Sequence, residues 1–76
     1  MKELLETIAK ALVDYPEDVH VNEVEGEKSM ILELTVSKDD MGKVIGKQGR
    51  IAKAIRTVVK AAAIKENKRV SVEILQ

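Results

Sequence analysis

Gly42, Gly46 and Gly49 stand four and then three residues apart in GKVIGKQGRIAKAI, residues 42–55, among four of the chain's cations. Glycines set directly before a helix-like pattern can serve phosphate chemistry, and three arrangements compete. A nucleotide-binding P-loop needs G-x-x-x-x-G-K-[ST] after a strand. Here Gly42 and Gly46 are one residue too close, and Gln48 stands where a hydroxyl must meet magnesium. A purely structural turn would use Gly46 as the left-handed cap of a first helix. It leaves Gly49 without a task, in a first helical turn where glycine costs conformational entropy. The third arrangement uses both glycines. A G-x-x-G turn between two helices lets a phosphodiester backbone approach the main chain with no β-carbon in the way. The first amides of the following helix, and its dipole, then favour an anion. Lys47 and Arg50 add charge, Gln48 offers a neutral donor, and Lys43, Lys53 and Arg56 extend the positive strip. Such a unit suits several phosphates in a row better than a single nucleotide.

Other chemistry finds little support. With no cysteine and a single histidine, thiolate and most zinc sites are excluded, and no acidic cluster has calcium-loop spacing. No nucleophile, base and orienting group coexist, so neither catalysis nor a cofactor is expected. Asp39 and Asp40 read as acids at a helix start, where negative charge is favoured. His20 is read as a surface residue without a role. Formal net charge is zero, but its distribution is uneven. Residues 1–37 set three lysines against nine acids, −6, and residues 38–69 set ten cations against three acids, +7. A neutral molecule of this kind can still present one positive face to a polyanion.

The elements that must position these residues are readable from periodicity. Lys2 to Asp14 has the three-to-four spacing of an amphipathic helix through Leu4 or Leu5, Ile8, Ala11 and Leu12, closed by Tyr15-Pro16. VHVNEVE and MILELTV follow as strands, with GEKS between them as the turn. In the second, Met30, Leu32, Leu34 and Val36 face the core, and Ile31, Glu33 and Thr35 face away. Ser37 and Asp40 form a capping-box pattern that starts a short helix reaching about Val44. From Arg50 to Lys65 the pattern is again helical, with Ile51, Ile55, Val58 and Ala62 as the apolar stripe and Asn67 near its end. RVSVEIL alternates as a third strand, with Val70, Val72 and Ile74 inward. The order helix, strand, strand, helix, helix, strand predicts one α+β domain over residues 1–76. Its three-stranded sheet is covered on one face by three helices. The opening MKELLETIAK is too charged for a signal peptide, and no apolar run approaches the ~20 residues of a membrane helix. A cytoplasmic location is expected.

At this point VIGKQGRIAKAI resembles the core signature of K-homology (KH) RNA-binding domains, V-I-G-x-x-G before an isoleucine-bearing helix. Val44, Ile45, Gly46, Gly49, Ile51 and Ile55 carry the match. The element order resembles the type II arrangement, and the length and the opening MKELLETIAKALVDYPEDV are similar to small stand-alone bacterial KH proteins. The resemblance implies a clamp on about four single-stranded nucleotides, with G-x-x-G on the backbone. It also implies bases in an apolar groove, which Ile45, Ile51 and Ala54 would line. Tyr15 is the only aromatic, against the stacking residues other RNA-binding folds need. A second class of function rests on KAAAIK: Ala61 and Ala63 flank the core line and permit close approach, and Ile64 lies well off it. The resemblance implies self-association, and pairing with a larger KH-containing RNA-binding protein.

Overall fold

Alternating apolar residues on two adjacent strands need a cover, and two helices supply it. The computed structural model describes residues 1–75 and, for Lys47 and Gln48, the backbone alone. Helix α1 (Lys2–Leu12) leads through a short three-ten helix, Pro16–Asp18, to strands β1 (His20–Glu25) and β2 (Ser29–Thr35). Helix α2 (Lys38–Lys65) then returns the chain to β3 (Arg69–Leu75). The fold is α+β, with three helices, counting the three-ten turn, and a three-stranded sheet in the order β1-β2-β3. β1 and β2 are antiparallel, and β2 and β3 parallel, with Leu32 opposite both Glu23 and Val72. The parallel pair demands a long crossover, which α2 provides.

Leu5 and Ala9 of α1, Val21 of β1, Met30, Leu32 and Leu34 of β2, Val72 of β3, and Val44, Ala52, Ile55 and Val59 of α2 make the core, with Val19 and Val36 beside the strands. This corrects the expected helical stripes. On α2 Ile55 is buried as expected, but Val58 is 43% exposed, and Ala62 is only half-buried. Their neighbours Val59 and Ala63 face inward instead, and Ala52 lies deeper than Ile51. On α1 the inward pair is Leu5 and Ala9, while Ala11 and Leu12 are exposed. Residues 58 and 59 are both valine and 62 and 63 both alanine, so residue type does not fix the phase of α2; at 51 and 52 the smaller alanine is the one that lies deep.

The two helices expected on either side of the glycines run as one hydrogen-bonded stretch of 28 residues. A straight helix of that length would measure about 42 Å at 1.5 Å per residue. The whole molecule extends only 35 Å along its longest axis. The turn is therefore present as a bend, and Gly49, at φ +70°, is the residue within α2 whose backbone departs from helical values.

Both ends of α2 are firmly capped. Ser37 Oγ accepts the Asp40 backbone N–H at 3.1 Å. At the far end Asn67 adopts φ 56°, its N–H donates to the Ile64 carbonyl, and the Lys68 N–H donates to the Ala63 carbonyl at 3.0 Å. These crossed bonds satisfy carbonyls of the last turn, and asparagine tolerates the left-handed conformation they require.

Candidate nucleic-acid interface

The bend brings Gly42, Lys43, Gly46, Arg50 and Ile51 around one cavity of about 320 Å³. Five of the residues in the stretch 42–51 thus meet at one place, on both sides of the kink. Ile45 is 45% exposed, and Ile51 is half-buried against the core. An open depression with cations and aliphatic side chains can take a backbone phosphate and an apolar base face together.

The glycines divide their tasks. Gly49 takes the left-handed backbone that favours glycine, so the purely structural arrangement, with Gly46 as a left-handed cap, is not the one adopted. Gly42 and Gly46 keep helical φ, and a β-carbon built at either would meet nothing within 4 Å. Glycine in a helix interior costs about 1 kcal/mol relative to alanine. Neither backbone conformation nor internal packing repays that cost at 42 and 46. What the missing β-carbons leave is bare main chain facing the cavity.

Asp40 fixes this half of α2 to the rest of the molecule. Its carboxylate is buried, at 1% exposure, and accepts the backbone N–H groups of Asp14 and Tyr15, each at 3.0 Å. The Ser37 hydroxyl donates to the same carboxylate at 3.0 Å. Burial pushes the Asp40 carboxyl up, but these three donors and the nearby Lys43 charge outweigh it and hold it below the ordinary aspartate value. Sequence reasoning read Asp40 only as a helix-start acid. Its grip on the α1 exit is long-range, and the capping pattern gave no sign of it. Asp14 has a second role through its side chain: Lys43 Nζ lies 3.1 Å from its carboxylate. Lys43, expected to meet phosphate, is thus already engaged at the rim of the cavity.

Of the other expected site residues, Arg50, Lys53, Ala54 and Arg56 are exposed along α2. Arg50 joins the cavity, and Arg56 leans the other way, its Nε donating to the Val72 carbonyl of β3 at 3.5 Å. The side chains of Lys47 and Gln48 lie outside the described residues. At the far end of α2, Ile64 is 71% exposed and Ala61 is exposed. Ala63, expected beside them on a contact surface, is instead buried at 2%. It sits one turn beyond Val59 on the inward line, so it has no surface to offer.

A family model described as the KH domain of KhpA/KhpB matches residues 2–74. The chain is 83% identical over 75 residues to RNA-binding protein KhpA of Clostridium perfringens, covering 99% of this chain and 100% of that protein. It is 76% identical to RNA-binding protein KhpA of Clostridium acetobutylicum, with the same coverage. Two solved structures share the fold. One is a variant of Aquifex aeolicus Era bound to GDP and aluminium fluoride, with TM-score 0.67 and 20% identity. The other is Era in complex with MgGDPNP and a segment of 16S ribosomal RNA, with TM-score 0.63 and 20% identity. Each alignment covers 96% of this chain and only 28% of the Era chain, so the likeness bears on the fold alone.

Proposed function

The chain belongs to the KhpA/KhpB family of KH domains, and from that premise we propose that it binds single-stranded RNA by clamping the backbone at Gly46–Gly49. The observation that carries this reading is the bare main chain at Gly42 and Gly46, open to a cavity that Lys43 and Arg50 border. Lys47 and Gln48 complete the clamp, and Ile45, Ile51 and Ala54 take the bases. In the cell such a domain serves as a post-transcriptional regulator or RNA chaperone in the cytoplasm, with no cofactor and no catalysis of its own.

The test is a titration with short single-stranded RNA at several salt concentrations. With about three phosphates neutralised, log K should fall against log salt with a slope near −2, at ~0.7 per phosphate. Replacing Lys47 and Gln48 together by aspartate should abolish binding, since two carboxylates would then face a phosphate while the glycines remain. A folded double variant with unchanged affinity would refute the clamp. Duplex preferred over single strand would refute the wider reading.

A second reading has its own observation. Ile64, 71% exposed, borders a groove of about 900 Å³ at the opposite end of α2 from the glycines. That surface suits self-association or a heterodimer with KhpB, and it leaves the clamp free.

A further inference from the structure

Between Met41 and Lys65 every charged residue is a cation: Lys43, Lys47, Arg50, Lys53, Arg56, Lys60 and Lys65. A helix of this length ordinarily interleaves acids, because opposite charges three or four apart stabilise it by ~0.2–0.5 kcal/mol and like charges cost a similar amount. Here Arg50–Lys53, Lys53–Arg56 and Arg56–Lys60 are all like-charge neighbours at those spacings. All four side chains are exposed, and among the described residues none of them lies in an ion pair. At about 100° per residue they fall within ~120° of the helix circumference, beside the line of Ala52, Ile55, Val59 and Ala63. The Arg56 bond to the Val72 carbonyl shows which way the ridge leans, toward β3, an edge strand of the sheet. The acids lie outside this stretch, nine of them before Ser37, with Asp39 and Asp40 in the first turn of α2, Glu66 at its end and Glu73 on β3.

We propose that this ridge, ending at Lys60, carries the RNA backbone onward from the clamp, so that the bound segment is longer than the four nucleotides the clamp holds. From Arg50 to Lys60 the helix rises ~15 Å. That span leaves room for about two or three further phosphates of an extended single strand. A polyanion removes the repulsion among the ridge cations, which is a gain made only in the bound state. The proposal rests on the RNA-binding reading above and adds to it a length and a path.

The experiment compares a four-nucleotide and an eight-nucleotide single-stranded RNA of one composition across salt, for the wild type, Lys60→Gln and Lys10→Gln. Lys10 is exposed on α1, so its variant makes the same change in net charge away from the ridge. For the wild type the octamer slope should be steeper than the tetramer slope by about 1.4–2, from two or three further phosphates at ~0.7 each. The extra registers an octamer offers a short clamp raise affinity but leave the slope untouched. Lys60→Gln should take ~0.7 off the octamer slope and leave the tetramer unchanged, whereas Lys10→Gln should alter neither. Equal slopes for the two lengths, or equal effects of the two variants, overturn the ridge while leaving the clamp standing. A wild type that binds neither RNA overturns both. A Lys60→Gln change seen in sedimentation and not in the RNA slope also overturns it, since the ridge then meets the acidic surface of a second copy.

Discussion

Gly46 and Gly49 lie three residues apart and should respond to alanine in opposite ways. Gly46 is helical with open space above it, so Gly46→Ala should stabilise the fold by ~0.5–1 kcal/mol through helix propensity. The new methyl group would stand where an RNA backbone has to approach, so affinity should fall at least tenfold in the more stable protein. Gly49→Ala forces an L-residue to φ +70°, at a cost of roughly 1–2 kcal/mol. It should lose stability and affinity together. Thermal unfolding and RNA titration of both variants check this, and a Gly46→Ala protein that keeps its affinity would place the backbone contact elsewhere. Asp14 should act in the opposite sense from a binding residue. Its carboxylate holds Lys43 at 3.1 Å on the rim of the cavity, and an exposed pair of this kind is worth ~0–1 kcal/mol. Asp14→Asn keeps the backbone N–H that Asp40 uses and frees the lysine, so RNA should bind up to about fivefold more tightly. The gain should vanish when Lys43 is also changed to Gln. A gain that persists in that background would mean Asp14 simply repels RNA.

Among the elements, the strands were the most readable and the helix phases the least. β3 spans Arg69–Leu75, the run RVSVEIL in full, because alternation with period two leaves only one choice of inward face. α2 offered two stripes that share Ile55 and differ by one residue. Val58 and Val59, and Ala62 and Ala63, are identical pairs, so only Ile51 against Ala52 separates the stripes by size, and there the smaller residue is the buried one. The glycine segment was legible as the candidate site, but the sequence does not tell which glycine turns left-handed. That depends on where the bend must fall for both halves of α2 to reach the same core. The Asp40 contacts were not legible at all, since they join residues 25 and 26 positions apart. They carry a prediction on pH. Because the folded carboxyl titrates below its unfolded value of ~3.9, Asp40 contributes stability fully above that pH. The contribution is lost as pH falls through the lower, folded value. Asp40→Asn turns an amide donor toward the Asp14 and Tyr15 donors, so it should lower the unfolding midpoint at neutral pH. The gap from wild type should begin to narrow below about pH 4 and close as pH falls through the folded value. Denaturant unfolding of both proteins from neutral to acid pH measures this, and a gap that does not narrow would assign the stability to other carboxylates.

For the molecule as a whole, the question is how two distant surfaces on one helix work together. From Gly49 to Ile64 α2 rises about 22 Å, so the clamp and the exposed isoleucine cannot share one small ligand. A chain of 76 residues with no cysteine gains from burying apolar surface against a partner. Ile64 at 71% exposure and Ala61 one turn before it are the residues positioned to do so; Ala63, turned inward, takes no part. A two-fold pairing through this patch sets it against itself and presents two clamps to one RNA. The second clamp then binds at the effective concentration set by the first, provided the RNA spans both. Ile64→Gln removes the apolar contact without adding a cation beside Lys60, which keeps the electrostatics of the ridge unchanged. The variant should sediment as a monomer where the wild type is a dimer, and it should bind RNA long enough to span both clamps roughly 10²-fold more weakly. Binding of a four-nucleotide RNA should be the same for both, because a single clamp is all that such a ligand can occupy. Sedimentation at several protein concentrations together with the two titrations separates the possibilities. A wild type that stays monomeric at high micromolar concentration would refute self-pairing and leave Ile64 to a heterologous partner, for which the tetramer titration would again be unchanged.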